Sequence, residues 1–294
     1  MIQSKEWAEV QYNPRLSVAN AADYAAKWAA MAASTRLKLA YKADLSYGDH
    51  PRERIDFFPA DDPKGCVVFI HGGYWRSFSK ESFSWAADAL VPDGFSVAVI
   101  NYPLCPEVTI DMIAHSCQRA VAWLWREMLS DVERDRLCVT GHSAGGYLTA
   151  RLFMTDWRKF GLKEQIFCGG MPISGVFELE PLIHTSINEQ VRLTPIDAEA
   201  WSLSPKRHDP LLKHVKLGVC VGGLESDEFK RQSLAFADAV GVEVGLRIES
   251  RDRHHFNVIE DIADRDSALF MALRTVCRSE DISGRISLLF RIVF

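Results

Sequence analysis

Leu137-Cys138-Val139-Thr140-Gly141-His142-Ser143-Ala144-Gly145-Gly146-Tyr147-Leu148 decides how this chain is read. It opens as a short apolar strand, turns sharply between Gly141 and Gly145, and continues in helix-compatible residues to about Met154. Gly141-His142-Ser143-Ala144-Gly145 fits the G-x-S-x-G pattern. There a serine sits on a strained strand-to-helix corner with its hydroxyl exposed above a sheet. Small flanking residues let strand and helix approach closely. A helix beginning just after Ser143 would aim N–H groups and partial positive charge at developing negative charge. Taken alone, the pattern is equally a tight turn in an ordinary strand–helix unit. Its weight comes from the surrounding chain.

Working outward, Cys66-Val67-Val68-Phe69-Ile70 and Ser96-Val97-Ala98-Val99-Ile100 are continuous apolar runs. Such runs belong to strands buried on both faces of a parallel sheet. Residues 54–59 alternate like an early strand, and 167–176, 215–223 and 242–248 supply later ones. Helices are expected over 80–90, 111–128, 227–240 and 256–278. The second of these places Ile113, Cys117, Ala120, Val121 and Leu124 on one face. Strands alternating with helices predict an α/β fold with a mostly parallel central sheet flanked by helices.

No internal repeat or low-complexity linker interrupts the pattern, so residues 1–294 read as one domain. Residues 1–45 form an N-terminal helical arm, in which Tyr24, Trp28 and Met31 recur at helical spacing. The arm reads as a covering helix, with a cap lining a substrate entrance as the alternative. Residues 178–214 lack a clean period and contain Pro181, Pro195, Pro205 and Pro210, which marks a small lid or cap insertion. The apolar stretch 286–294 reads as an edge strand or packed tail with no catalytic role.

Composition excludes several classes. The chain has 48% hydrophobic and 25% charged residues, as ordinary globular proteins do. A net charge of −5 leaves no basic footprint for nucleic acid. Asp23 and Lys27 interrupt the alanine-rich stretch 19–33, which is too short and polar to span a bilayer. No secretory signal pattern is visible. Seven cysteines without a C-x-x-C pair suggest neither a disulfide framework nor a zinc site. The expected setting is the reducing cytoplasm. The expected partner is a small-molecule substrate, without nucleic acid or membrane, and a homo-oligomer stays open. His50, His115, His184, His208 and His214 show no metal-ligand spacing.

A serine hydroxyl needs an adjacent base, and the base needs an orienting group. In this type of strand–turn–helix unit the chain order is Ser, then Asp or Glu, then His. Ser143, Glu225 and His255 supply that order as nucleophile, carboxylate and base. Glu225 follows the apolar strand 219–223, and His255 lies between the last strand and the last helix. Asp227 and Glu228, each also readable as a helix N-terminal charge, compete for the carboxylate role, and His254 for the base. His71-Gly72-Gly73-Tyr74-Trp75 ends another apolar strand. The amides of Gly72, Gly73 and Ala144 are candidates for an oxyanion hole, where preorganised donors stabilise an acyl-transfer transition state. Tyr74, Trp75 and Tyr147 are candidate substrate-contacting aromatics, and His142 is expected to pack under the serine corner.

At these residues the chain resembles the α/β-hydrolase superfamily and, within it, the kynurenine formamidase (arylformamidase) group and its bacterial relatives. The resemblance covers nearly the whole chain. It runs through Tyr12-Asn13-Pro14-Arg15, Tyr47-Gly48, the His71–Trp75 loop, Asn101-Tyr102, Cys105-Pro106-Glu107, the Ser143 corner, Ser174-Gly175, Leu203-Ser204-Pro205, Glu225-Ser226-Asp227-Glu228-Phe229 with Arg231-Gln232-Ser233, and His255-Phe256. The segment 225–233 favours Glu225 over Asp227, because Glu225 occupies the family's acid position. The His254-His255 pair and the apolar tail depart from the pattern. The resemblance implies a serine hydrolase that converts N-formyl-L-kynurenine to L-kynurenine and formate in tryptophan degradation, without metal or organic cofactor. Two other readings remain: a short-acyl carboxylesterase or other amide hydrolase, and a hydrolase-fold binding protein without turnover.

Overall fold

The apolar runs become the middle of a nine-stranded mixed sheet in the computed structural model, which describes residues 4–203 and 215–278. Its strands are β1 Lys42–Ser46, β2 Arg54–Phe58, β3 Gly65–Ile70, β4 Phe95–Ile100, β5 Leu137–His142, β6 Gly169–Ile173, β7 Lys216–Leu217, β8 Val219–Gly222 and β9 Arg247–Ser250. They are ordered β1-β2-β4-β3-β5-β6-β8-β9, with β7 beside β6. β1 pairs with β2, and β2 with β4, antiparallel; every other pair is parallel. β3, β4 and β5 are buried at every position. Helices cover both faces there, so these strands carry unbroken apolar runs. β1 is the opposite case. It lies at the edge, is mostly exposed, and its Lys-Ala-Asp-Leu-Ser sequence has no apolar run to reveal it.

The helices are α1 Lys5–Tyr12, α2 Asp23–Lys38, α3 Ala87–Leu90, α4 Ile110–Glu127, α5 Asp131–Asp135, α6 Ala144–Phe153, α7 Asn188–Val191, α8 Pro195–Trp201, α9 Asp227–Val240 and α10 Ala268–Cys277. α9 has the expected bounds. Ser226 caps its first turn by accepting from Phe229 N, and left-handed Gly241 ends it. None of the described helices is long and apolar enough to cross a membrane.

Three expected elements differ. The helix expected over 80–90 is two 3₁₀ turns, Lys80–Ser82 and Ser84–Ala86, followed by the short α3. Lys80 is buried there among Asp44, Asp56 and Glu81, at 2.7, 2.9 and 2.9 Å. Those ion pairs fix the segment against β1 and β2, and they hold the ammonium above the usual lysine value despite its burial. The closing helix is broken into a 3₁₀ turn, Val258–Ala263, and α10. Ser267 separates them by bonding back to Asp261 O and capping Phe270 N. The strand expected over 242–248 begins only at Arg247, after a turn over Val244–Leu246.

α1 was not expected as a separate helix. Only Ala8 and Tyr12 of its residues are buried, so it shows no apolar stripe. The described part of the segment 178–214, expected as a lid, contains a 3₁₀ turn, Glu180–His184, and helices α7 and α8. Its remainder, with Ser204, Pro205, His208, Pro210 and His214, lies outside the described residues, as does the tail 286–294.

Candidate active site

Ser143 is the corner between β5 and α6, with φ 57° and ψ −117°. A non-glycine residue in this region is strained and persists only when its surroundings hold it. Ser143 N donates to Ile173 O at 2.8 Å, and Tyr147 N donates to Ser143 O at 3.1 Å. The neighbouring strand and the first turn of α6 therefore clamp the corner from both sides.

Glu225 follows β8 and its side chain is fully buried. Oε1 accepts from Gly222 N at 2.8 Å and from the Ser174 hydroxyl. Oε2 lies 2.6 Å from His255 Nδ1, and His255 Nε2 lies 3.1 Å from Ser143 Oγ. A carboxylate accepting from Nδ1–H leaves the Nε2 lone pair directed at the serine. Ser143, Ser174, Glu225 and His255 all stand beyond the C-terminal ends of strands in the parallel part of the sheet, where open α/β sheets bind ligands. Ser174 had not been assigned a role from sequence. Its signal was the Ser-Gly pair closing a strand adjacent to β5.

The competing residues lie elsewhere. The Asp227 side chain is 92% exposed and pairs with Lys230 at 3.1 Å, one turn along α9. His254 Nδ1 accepts from Phe256 N and Asn257 N, closing its own turn, while Nε2 meets Tyr24 OH at 3.2 Å. His142 is buried beside the corner and lines the pocket, its ring centroid 4.7 Å from that of His255. Burial, with the neighbouring His255, holds His142 well below the ordinary histidine value.

The loop after β3 supplies the facing wall. A Cβ on Gly72 would stand 2.7 Å from His142 O and 3.1 Å from Ser143 Cβ, so the loop can abut the corner only through a glycine. Gly73 has φ +108°, and its Cβ would collide with Ser77 O at 2.4 Å. Tyr74 and Trp75 continue in left-handed conformation, at φ 48° and 55°. His71 stacks on Tyr102, centroids 4.2 Å apart, and burial pushes it down to about 4.

The three aromatics expected at the substrate separate here. Tyr74 lines the pocket and donates its hydroxyl to Tyr12 O. Trp75 and Tyr147 do not line it. Both are fully buried and packed edge to face at 5.3 Å, and Tyr147 OH donates to Trp201 O. The left-handed turn at Tyr74-Trp75 sends one ring to the pocket and the next into the core.

The N-terminal arm does more than cover. Asn13, Arg15 and Trp28 line the same pocket as Ser143 and His255, and Ile187 adds a residue from the segment 178–214. The cavity is narrow, about 50 Å³. Side-chain bonds dock the arm. Tyr12 OH donates to Glu228 Oε1 at 3.1 Å and accepts from Gln232 Nε2 at 2.6 Å. Ser226 donates to Gln11 O, and Glu228 N donates to Gln11 Oε1. Glu9 accepts from both the N–H and the hydroxyl of Ser186, which precedes α7. Burial and the Glu228 carboxylate push the Tyr12 phenol far up. Glu228 itself lies below the ordinary carboxylate value, because hydrogen bonds from Arg231, Gln232 and Tyr12 outweigh its burial.

Comparison with known proteins gives concordant likenesses. The BD-FAE family model matches residues 58–165. A kynurenine formamidase of Salmo salar is 31% identical over 242 residues, covering 78% of this chain and 80% of that protein. A kynurenine formamidase of Danio rerio is 29% identical over 282 residues, covering 90% and 94%. A solved structure from Silicibacter sp. TM1040, provisionally designated a thioesterase, is 34% identical with a TM-score of 0.78, covering 90% of this chain and 97% of that one.

Proposed function

The chain belongs to the kynurenine formamidase family of α/β-hydrolases, and on that premise we propose that it hydrolyses an aryl formamide, N-formyl-L-kynurenine, to L-kynurenine and formate. The reading is carried by the hydrogen-bonded line from Glu225 through His255 to Ser143 at a narrow pocket with aromatic walls.

In this reading Ser143 Oγ attacks the formyl carbon while His255 Nε2 takes its proton. Glu225, held by Gly222 N and Ser174, fixes the imidazole tautomer and stabilises the imidazolium that forms. The amides of Gly72, Gly73 and Ala144 stabilise the oxyanion. His255 then protonates the departing aniline nitrogen, and the C–N bond breaks. His255 next deprotonates a water molecule that attacks the formyl-serine ester, and formate leaves as Ser143 regains its proton. A formyl group needs almost no acyl space, which suits the narrow cavity.

The test is kcat/KM on N-formyl-L-kynurenine and on p-nitrophenyl acetate, with wild type beside Ser143→Ala. Removing such a nucleophile lowers kcat by about 10⁶-fold. Strong preference for the formamide, lost in Ser143→Ala, is the expected result. Turnover of the ester alone would sink the formamide assignment and favour an esterase. The thioesterase designation of the Silicibacter relative makes thioesters the next substrates to try in that case.

A further inference from the structure

Arg15 and Arg76 reach the pocket of Ser143 from segments far apart in sequence. Arg15 follows the end of α1, where Asn13 Nδ2 donates to Glu9 Oε1 at 2.8 Å and Asn13 Oδ1 accepts from Arg15 N at 3.2 Å. That pair of bonds fixes the backbone that delivers the guanidinium. Arg76 follows the left-handed residues Tyr74 and Trp75, and its N–H donates to Gly73 O at 3.1 Å. Its Nη1 donates to a neutral partner, Gln190 Oε1, at 3.1 Å.

Among the described residues neither guanidinium forms an ion pair. Other arginines of this chain do: Arg231 holds Glu178 and Glu228, Arg253 holds Asp261, and Arg119 holds Glu53. Glu9 and Glu189 act on Arg76 without contact, and the Glu9 oxygens are taken by Ser186 and Asn13. Burial, together with the like charge of Arg15, pulls Arg76 below the usual arginine value. Two cations without a carboxylate on one pocket wall repel each other, and an anion between them removes that repulsion. The planar guanidinium fork matches a carboxylate in particular.

We propose that Arg15 and Arg76 bind a carboxylate carried on the leaving-group side of the substrate, so that the pocket selects anionic aryl formamides or aryl esters over neutral ones. A formyl group has no substituent, so a charged group on a formamide substrate must lie on the amine side. The inference rests on the preceding reading for the chemistry at Ser143, but not for the binding of the anion.

Matched substrates test it: an aryl formamide and an aryl acetate, each made with a side-chain carboxylate and with the neutral carboxamide. The quantity read is the carboxylate-to-carboxamide ratio of kcat/KM in wild type, Arg15→Gln, Arg76→Gln and Arg76→Lys. Titration calorimetry with 4-phenylbutyrate and 4-phenylbutanamide reads the same discrimination without turnover. The expected result is a wild-type preference for the carboxylate. Arg76→Gln should lower the ratio roughly 10- to 100-fold, chiefly through KM, and the more exposed Arg15→Gln by less. Arg76→Lys should recover part of it, since charge is kept and the fork is lost. A ratio that does not move, or a parallel fall on both members of each pair, overturns the proposal. Cleavage of acetates but not formamides would sink the formamidase reading while the acetate ratio still reports on the arginines. If neither class is cleaved, the calorimetric ratio decides: selective weakening of 4-phenylbutyrate upholds the pair, and equal binding of both probes removes it.

Discussion

Ser143, Glu225 and His255 stand on loops that leave the parallel part of the sheet, whereas Asn13, Arg15 and Trp28 reach the same pocket from the helical part of the arm, which ends where the edge strand β1 begins at Lys42. In the first region the backbone does the positioning. Strand register and the turn at Ser143 bring side chains 112 and 30 residues apart into hydrogen-bonding distance. In the second region side chains do it, through bonds such as Tyr12 to Glu228 and Glu9 to Ser186. The positions of Ser143, Glu225 and His255 are thus set by the sheet, and part of the facing pocket wall by a docked segment. Substitutions in the two regions should therefore be told apart by what they change.

The largest effect belongs to the sheet region. Glu225→Gln keeps the size of the side chain but leaves His255 Nδ1 facing an amide, and it disturbs the bonds from Ser174 and Gly222. Loss of kcat should be about 10⁴-fold, as for removal of the orienting acid in a comparable triad. Melting temperature measured alongside kcat would separate a chemical defect from unfolding. A loss under tenfold in a folded variant would mean that Glu225 does not orient the base.

A smaller effect is expected in the arm. Tyr12→Phe removes a buried hydroxyl that donates to Glu228 and accepts from Gln232. The expected loss is about 1–3 kcal/mol of unfolding free energy, because polar partners stay behind in the interior. Urea titration gives that number. Steady-state kinetics should show KM rising while kcat changes less. A fall in kcat matching that of Glu225→Gln would erase the distinction between frame and wall.

The smallest effect comes from acid. Hydrogen bonds from Arg231, Gln232 and Tyr12 hold Glu228 below its ordinary value, and Ser116 and Arg119 do the same for Glu53, each against the cost of burial. A carboxyl depressed in the folded state stabilises it above the unfolded value, near 4.3 for glutamate. Below that pH the unfolded chain binds more protons, so stability falls as pH drops through the folded values. Melting temperature followed from about pH 6 to pH 3 should decline. Glu228→Gln should flatten the acid end of that curve if the arm carries this part of the effect.

What was legible in the sequence follows the same division. β3, β4 and β5 announce themselves because burial on both faces demands apolar residues at every position. The Ser143 corner is legible because close approach demands glycine around it. The arm was under-read for the opposite reason. α1 has only two buried residues, and polar bonds to residues more than 170 positions away leave no local period. Arg15 and Arg76 look like ordinary surface charges until the fold brings them to one cavity. Trp75 and Tyr147 show the reverse error. Their side chains suit a substrate wall, but the backbone at 74–75 turns the tryptophan into the core. Lys80 gave no hint of three carboxylate partners, and it stands in the first of the two 3₁₀ turns that replace the helix expected at 80–90.

The bond from Tyr12 to Glu228 spans 216 residues. On the ribosome, α1 leaves the exit tunnel long before α9 has been made, so this part of the pocket wall cannot lock until most of the chain has emerged. Contacts of such sequence separation carry a large loop-closure cost and form slowly. The sheet can pair β3, β4 and β5 well before that point. The nascent protein would therefore acquire the corner that holds Ser143 first and the closed entrance last, and the order of assembly is written into which residue holds which.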